Sequence, residues 1–215
     1  MSAPGRTHVK ICGLTSPEQA LACVEAGASA IGVNLVASSP RRVDIAGARA
    51  IARAVGGRAL VVGVVANLDV DAMRRLREEA ELGCLQLHGD EPPEALVTLL
   101  PHAYKVLRIA TAEDVARAGA YPGEHVMVDA RVSGALGGTG RSFDWSLVVG
   151  LARARKLTLA GGLTAENVEA AVRQVGPFAV DVASGVEVPG VPGTKDLERV
   201  RSFMAAVARA DHVSV

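Results

Sequence analysis

The stretch HVKICGLTSPEQ, residues 8–19, decides the fold of this chain. Val9 and Ile11 are β-branched residues separated by one position, which is typical of a strand. Ser16 then follows as a helix N-cap, with Pro17 at the first helical position. A strand that leads directly into a helix is the repeating unit of a parallel sheet, because successive parallel strands need a crossover between them.

The same alternation recurs along the chain. Short β-branched runs, each followed by a helical pattern or, after the sixth run, by a Gly-rich loop at 131–143, predict eight strands near His8–Cys12, Ala30–Leu35, Ala59–Val65, Cys84–His88, Tyr104–Ile109, His125–Asp129, Leu157–Ala160 and Ala179–Ala183. Eight units in 215 residues leave roughly 27 residues each, near the lower size limit of a (β/α)₈ barrel. We therefore predict one (β/α)₈ TIM-barrel domain over residues 1–215, with frayed ends at about 1–7 and 211–215.

A doubly wound open sheet is the alternative fold, and it would place a ligand where the strand order reverses. The barrel is preferred because polar or small residues end most strands. In a barrel all of these residues meet at one rim, where the active sites of this fold lie. They are Cys12, Asn67, His88, Asp129, Gly161 and Ser184.

Composition narrows the class of partner. The chain has 23 basic and 23 acidic side chains, so its net charge of zero argues against nucleic acid or an anionic membrane as the main partner. Aromatic residues make up 3% of the chain, which also disfavours a surface that stacks bases. A small anionic ligand needs only a few local donors and stays possible.

The cysteines and histidines indicate a reduced enzyme without a metal. Three cysteines, with no CxxC pair, do not suit a disulfide scaffold, and no apolar run of roughly 20 residues is present. We therefore expect a cytoplasmic protein that is not bound to a membrane. No histidine or acidic cluster has the spacing of metal ligands, so no metal is expected.

The first predicted strand carries a candidate base. Side chains alternate along a strand, so Lys10 and Cys12 should face the barrel axis while Val9 and Ile11 face the helices. Asp181 should point inward from the eighth strand, which neighbours the first, and pair with Lys10. Cys12 could be a small buried hydrophobe, but its place at a strand end beside a lysine favours a lowered thiol pKa.

A candidate acid ends the sixth strand. Asp129 follows the apolar run 126–128 and could either cap the next loop or act as a functional acid. Its position alone does not decide between these interpretations. A thiol and a carboxylate facing each other across one rim could move two protons on one small molecule, which favours the acid.

Two glycine-containing loops predict a phosphate site. Gly161 and Gly162 follow the seventh strand, and Ser184 and Gly185 follow the eighth. Glycines let backbone N–H groups approach an anion, and the loops after strands seven and eight are the usual phosphate site of this fold. Ordinary tight turns would explain either loop taken alone.

Two further side chains are candidates for substrate contacts. Arg41 and Arg42 follow the second strand, where one guanidinium could reach over the rim to a planar carboxylate, although loop arginines are usually solvated. His88 ends the fourth strand and could equally be a structural hydrogen-bonding residue.

Taken together, six segments resemble phosphoribosylanthranilate isomerase, an enzyme of tryptophan biosynthesis, over about residues 8–208. They are KICGLT (10–15), SPR (39–41), QLHGDE (86–91), GGTGRSFDW (137–145), LAGGL (159–163) and VDVASGVE (180–187). The resemblance implies a (β/α)₈ barrel and an Amadori rearrangement of N-(5-phosphoribosyl)anthranilate. It implies Cys12 as general base, Asp129 as general acid and Arg41 as the contact for the anthranilate carboxylate.

The resemblance also implies a phosphorylated aminosugar as the substrate and no cofactor, since neither redox chemistry nor group transfer occurs. His88 and Asp181 are candidate substrate contacts, and the protein is expected to be a monomer or a homodimer. A pentose-phosphate epimerase, the aminoaldose isomerase of histidine biosynthesis and a non-catalytic phosphate-binding barrel are the alternatives. The chain departs from the family pattern at Val33-Asn34-Leu35, Ser38 and Arg42, all near the expected anthranilate site.

Overall fold

A computed structural model describes residues 6–130 and 143–212. These residues form eight strands: β1 His8–Cys12, β2 Ala30–Asn34, β3 Leu60–Val65, β4 Cys84–Leu87, β5 Ala103–Ile109, β6 His125–Ala130, β7 Lys156–Leu159 and β8 Ala179–Val182. They also form eight α-helices: α1 Pro17–Glu25, α2 Ile45–Val55, α3 Val70–Glu79, α4 Pro93–Leu99, α5 Ala112–Ala116, α6 Val149–Ala154, α7 Val168–Val175 and α8 Leu197–His212. Every predicted strand is confirmed, with each boundary within one residue of the expected position.

The strands close into a parallel barrel in sequence order, with β8 paired to β1. This closure confirms the (β/α)₈ barrel and shows that the open-sheet alternative is wrong. Lys10 lies opposite Ala30 of β2 on one side and opposite Asp181 of β8 on the other. Carboxyl ends of all eight strands therefore meet at one rim.

Two apolar clusters flank the barrel wall. One fills the space between strands and helices and includes Val9, Ile11 and Phe203, each almost fully buried. The burial of such a side chain contributes roughly 1.5–3 kcal/mol. A smaller cluster fills the inside of the barrel and consists of Val62, Cys84, Tyr104, Val106, Met127 and Ala160. Val9 and Ile11 thus face the helices, as the alternation along β1 predicts.

The two ends of the described chain contact each other. The Thr7 backbone N–H and hydroxyl donate to the Asp211 carboxylate at 3.0 and 2.7 Å, and Thr7 is buried. At these two residues the expectation of frayed ends is not met, because a side-chain clamp joins α8 to the start of β1. The remaining expected tails, 1–5 and 213–215, and most of the Gly-rich loop expected at 131–143 lie outside the described residues. No helix in the described parts of the chain is long and apolar enough to cross a membrane.

Candidate active site

The barrel brings the predicted site residues to one rim. Cys12 is the last residue of β1, and Asp129 is the last but one of β6, with β7 and β8 between these strands. His88 directly follows β4, and the glycine loops follow β7 and β8. Residues more than a hundred positions apart in the chain thus share a single opening.

A buried ion pair lies directly below the thiol. Lys10 Nζ is 2.7 Å from Asp181 Oδ1, and both side chains are almost fully buried. This contact confirms the predicted pair. Burial alone would lower the pKa of Lys10, but the Asp181 carboxylate, with smaller effects from Cys12 and Tyr104, outweighs burial and raises it. Lys10 therefore stays an ammonium ion beside the thiol.

Gly32 of β2 leaves the space that this arrangement needs. A Cβ atom at this position would lie 2.6 Å from Cys12 Sγ and 3.0 Å from Lys10 Nζ. A side chain at position 32 would therefore push the thiol or the ammonium group out of place. The sequence analysis missed this residue, for which the only signal is a glycine inside a predicted strand.

The protonation state of Cys12 differs from the expectation. Burial raises the pKa of the thiol, and although Lys10 acts in the opposite direction through its charge and a hydrogen bond, burial has the larger effect. The expected lowering of the thiol pKa is therefore wrong. A lysine neighbour is visible in the sequence, whereas the depth of burial is a property of the closed barrel.

The Asp129 carboxylate is buried and held in a defined orientation. Its Oδ1 accepts a hydrogen bond from the Ala130 backbone N–H at 2.8 Å, and its Oδ2 lies 3.7 Å from His88 Nε2. Gly161 lies directly against it: a Cβ there would be 2.6 Å from the Ala130 nitrogen and 3.0 Å from Asp129 Oδ1. Asp129 of β6 and His88, which follows β4, therefore face one another at the rim of the barrel.

His88 is buried and neutral. Burial, followed by the positive charges of Lys10 and Lys105, lowers its pKa from 6.5 to about 4. Its Nδ1 lies 3.1 Å from Gln86 Nε2, and its buried Nε2 makes no hydrogen bond within the described parts of the chain. The ring therefore presents one unused nitrogen to the rim.

Lys105 and Glu91 hold the loop that carries His88. Lys105 Nζ is 2.7 Å from Glu91 Oε2 and donates to the Gly89 carbonyl at 2.6 Å. The other oxygen of Glu91 accepts from the backbone N–H of Asn67 at 2.7 Å. Both charged side chains are buried. This pair ties the end of β3 to the loop after β4 and keeps the imidazole in place.

The two glycine loops lie side by side. Gly161 and Gly162 have φ angles of +93° and +66°, a backbone conformation that favours glycine. A Cβ at Gly185 would collide with the carbonyl of Leu163, so the loop after β8 packs directly on the loop after β7. The N–H groups of Gly161 and Gly162 donate to no other described residue.

The helix after the β7 loop begins at Val168, with Asn167 as its N-cap residue. The Asn167 side chain bridges the loop: it accepts from the Thr164 N–H and donates to the Gly162 carbonyl, both at 2.8 Å. Ser184 begins a short 3₁₀ turn, Ser184–Val186.

Arg41 is fixed by a carboxylate from the opposite end of the sequence. Its Nε and Nη2 each lie 2.7 Å from an oxygen of Glu187, and this hydrogen bonding raises the pKa of Arg41. Gly13 gives the side chain room, since a Cβ there would lie 2.5 Å from Arg41 Cδ. One edge of the guanidinium is therefore occupied, and the Nη1 side remains for another acceptor. Arg42, in contrast, is exposed.

Glu187 and Lys195 complete this cluster, and the sequence analysis assigned no role to either. Lys195 Nζ lies 2.8 Å from Glu187 Oε1 and donates to the Ala183 carbonyl at 3.1 Å. Gln19 of α1 accepts from the Lys195 backbone N–H at 2.8 Å. Burial alone would raise the pKa of Glu187, but hydrogen bonds from Arg41, Lys195 and the Gly193 N–H lower it to about 2. The cluster joins the loops after β2 and β8 behind the thiol.

No group of three or more His, Cys, Asp or Glu side chains within 6–130 and 143–212 is arranged to hold a metal ion. The side chains at the rim offer a thiol beside an ammonium ion, a buried carboxylate, a neutral imidazole and a guanidinium. A thiol and a carboxylate on two sides of one opening can take a proton from one atom of a bound molecule and give a proton to another.

Comparison with known proteins agrees with this chemistry. The family model of N-(5'-phosphoribosyl)anthranilate (PRA) isomerase matches residues 9–206. The chain is 46% identical over 202 residues to N-(5'-phosphoribosyl)anthranilate isomerase of Pseudomonas aeruginosa strain LESB58, covering 93% of this chain and 94% of that protein. It is 44% identical over 203 residues to the protein of the same name from Myxococcus xanthus, covering 93% and 95%.

Solved structures show the same relationship. Phosphoribosyl anthranilate isomerase from Thermotoga maritima superposes with a TM-score of 0.85 at 33% identity, covering 94% of this chain and 99% of that one. A structure of phosphoribosyl anthranilate isomerase in complex with reduced 1-(o-carboxyphenylamino)-1-deoxyribulose 5-phosphate superposes with a TM-score of 0.84 at 33% identity and the same coverage. The chain therefore belongs to the N-(5'-phosphoribosyl)anthranilate isomerase family.

Proposed function

We propose that this protein isomerises N-(5'-phosphoribosyl)anthranilate to 1-(2-carboxyphenylamino)-1-deoxyribulose 5-phosphate, a step of tryptophan biosynthesis. The observation that carries the proposal is the pair of proton-transferring groups at one rim, Cys12 above the Lys10 ammonium ion and Asp129 across the opening. Membership of the family and the ligand of a solved relative, a reduced deoxyribulose phosphate, support the same reaction.

The mechanism begins at the ring oxygen of the aminosugar. Asp129, in its protonated form, donates a proton to this oxygen as the bond from the oxygen to C1′ breaks. The lone pair of the anthranilate nitrogen forms a C=N bond, which gives a protonated Schiff base. Asp129 is left as a carboxylate. The buried Oδ1 contact with the Ala130 N–H holds the group in place for this transfer.

Cys12 completes the rearrangement. Its thiolate removes the proton on C2′, and the electron pair of that C–H bond neutralises the Schiff base to give an enolamine. Return of a proton to C1′ and loss of the C2′ hydroxyl proton produce the ketone, so no electrons leave the molecule. Each positioned proton transfer contributes about 10²–10⁴-fold to the rate.

The raised pKa of the Cys12 thiol is compatible with this role because the base acts after a positive charge has formed. The protonated Schiff base would lie beside the thiol, in a site of low dielectric constant where an opposite charge favours the ionised form strongly. The Lys10 ammonium ion acts in the same direction. Asp181 keeps Lys10 charged, and we assign Asp181 to this supporting role as well as to the substrate pocket.

The remaining rim groups are proposed to bind the substrate. The Nη1 side of Arg41 would pair with the anthranilate carboxylate, while Glu187 orients the guanidinium. The phosphate would accept hydrogen bonds from backbone N–H groups of Gly161, Gly162, Ser184 and Gly185, whose loops pack against one another. His88 would contact the sugar near Asp129.

The substrate class is therefore a phosphorylated aminosugar, and we propose that the reaction uses neither metal nor cofactor, since only protons move. We also propose that the chain is one barrel domain that works in the cytoplasm as a monomer or a homodimer. Neither nucleic acid nor a membrane is proposed as a partner.

The proposal is tested by mixing the protein with N-(5'-phosphoribosyl)anthranilate and following the anthranilate fluorescence while the product is identified by mass and NMR. We expect decay of the substrate signal and appearance of the deoxyribulose phosphate, unchanged by EDTA. The aminoaldose substrate of histidine biosynthesis and a pentose phosphate serve as controls. Turnover of either control instead of the anthranilate compound, or of none of the three, would reject the assignment.

A further inference from the structure

A chain of three polar side chains runs through the inside of the barrel and ends at the rim. Tyr104 of β5, Gln86 of β4 and His88 lie in it, and each is at most 8% exposed. The Tyr104 hydroxyl donates to Gln86 Oε1 at 3.0 Å, and Gln86 Nε2 lies 3.1 Å from His88 Nδ1. Neither Tyr104 nor Gln86 takes part in the mechanism above.

We propose that Tyr104 and Gln86 are positioning residues that hold His88 as the neutral tautomer with its proton on Nε2, so that the imidazole donates a hydrogen bond to a substrate oxygen beside Asp129. The donation to substrate rests on the proposed function, whereas the tautomer is a property of the free protein.

The direction of the hydrogen bonds from Tyr104 to His88 follows from the side-chain amide of Gln86. A carboxamide has one accepting and one donating end, and the accepting end is occupied by the Tyr104 hydroxyl. The donating end therefore faces His88 Nδ1, which must accept, and the ring proton is left on Nε2. Reversal of the amide would leave the Tyr104 hydroxyl hydrogen without an acceptor among the described residues, inside the barrel, which costs free energy.

The charges around His88 agree with a donor rather than a base. Lys10 from β1 and Lys105 from β5 surround the imidazole, and Arg108 of β5 adds a third positive charge, with Glu91 opposing them. A proton added to Nδ1 would face the donating end of Gln86 as well as these charges. His88 therefore does not compete with Cys12 for the substrate proton.

A hydrogen-bond donor at His88 Nε2 would lie next to Asp129, where the substrate is proposed to bind. The Nε2 atom is buried, makes no hydrogen bond within the described parts of the chain and lies 3.7 Å from Asp129 Oδ2. An N–H group at this point would meet a sugar oxygen bound next to the acid. Such a contact places the oxygen without exchanging a proton with it.

The test is NMR of the free protein labelled with ¹⁵N-histidine, in which the two ring nitrogens of each tautomer have distinct shifts. The His88 signals are those that vanish in His88→Asn. We expect the Nε2–H tautomer in the unsubstituted protein at neutral pH. We expect Gln86→Glu to move the proton to Nδ1, because a carboxylate can only accept, and to raise the pKa of His88 from about 4.

Turnover provides the second measurement. Loss of one neutral hydrogen bond should lower kcat/KM of Gln86→Glu by about 2- to 12-fold. Tyr104→Phe leaves the Gln86 amide free to reverse, so its His88 should show both tautomers. The matched control is Gln174→Glu, on the exposed face of α7, which should not change the His88 signals.

A proton on Nδ1 of His88 in the unsubstituted protein would overturn the proposal. So would an unchanged tautomer in both Gln86→Glu and Tyr104→Phe. If Gln86→Glu does not fold, the isosteric Tyr104→Phe variant and the unsubstituted protein still decide the question. Absence of turnover with the expected tautomer would reject the proposed function instead and leave the Tyr104–Gln86–His88 chain in place.

Discussion

Replacement of Asp181 by Asn tests how much the buried Lys10–Asp181 ion pair contributes to the stability of the folded protein. The Lys10 and Asp181 side chains are only 5% and 8% exposed, and their charged atoms are 2.7 Å apart. In Asp181→Asn the amide oxygen can still accept from Lys10, but the negative charge is gone. An ammonium ion without a counter-charge then remains inside the barrel.

Two estimates limit the expected loss of stability in Asp181→Asn. Removal of one partner of a buried pair typically costs about 3–5 kcal/mol. Lys10 can escape the penalty by losing its proton, which at pH 7 costs about 4.8 kcal/mol from its ordinary pKa of 10.5 and so sets a ceiling. Because the amide keeps one hydrogen bond, we expect a loss of about 3–4 kcal/mol in the free energy of unfolding, or roughly 6–16 °C in Tm.

The assay is urea denaturation at pH 7 with two reference variants. Glu124→Gln breaks the exposed Lys156–Glu124 pair, whose side chains are 46% and 72% exposed, and should cost at most about 1 kcal/mol. Lys10→Met combined with Asp181→Asn removes both charges and should be more stable than Asp181→Asn alone. If Asp181→Asn costs no more than Glu124→Gln, or if the double variant is the least stable, the reasoning about the buried pair is wrong.

Three further predictions concern binding and pH. Arg41→Ala should weaken substrate binding by about 10- to 150-fold with a smaller effect on kcat, whereas Arg42→Ala should change little, and equal effects on KM would mean that the carboxylate binds elsewhere. Gly162→Val, at a φ of +66°, should abolish competitive inhibition by inorganic phosphate, and an unaltered inhibition constant would contradict the phosphate site. Burial lowers the pKa of His88 and His125 from 6.5 to about 4. Between these two pH values the unfolded chain therefore binds more protons than the folded protein. Stability in urea should therefore fall as the pH drops from 6.5 to 4, by up to about 3 kcal/mol per histidine, and a flat profile would show that these rings are not buried as neutral groups.

The sequence predicts the fold because its periodicities are local. Alternation of period two places Lys10 and Cys12 on one face of β1, and closure of the barrel makes β8 the neighbour of β1. Together these two facts predict the contact between Lys10 and Asp181 across 171 residues, and the structure confirms it. The strand boundaries follow in the same way, since β-branched runs end where polar and glycine residues begin.

The electrostatics of the site could not be predicted in the same way. A lysine two residues from Cys12 suggests a lowered thiol pKa, but burial, which depends on the closed barrel, reverses the direction. The contact of Arg41 with Glu187 depends on the paths of two loops, and no spacing in the sequence encodes it. Likewise, the hydrogen bond of Tyr104 to Gln86 requires the register of β4 against β5.

The central claim is that Cys12 removes a proton from a bound aminosugar. Its most direct test is the single-turnover rate of Cys12→Ala saturated with N-(5'-phosphoribosyl)anthranilate, followed by the anthranilate fluorescence, with the binding constant measured on the same variant. The account predicts a rate at least about 10²-fold below that of the unsubstituted protein and binding within a few-fold of normal, because only the proton acceptor is lost. A near-normal rate would show that another group is the base, and a large loss of binding with an unchanged rate at saturation would make Cys12 a binding residue.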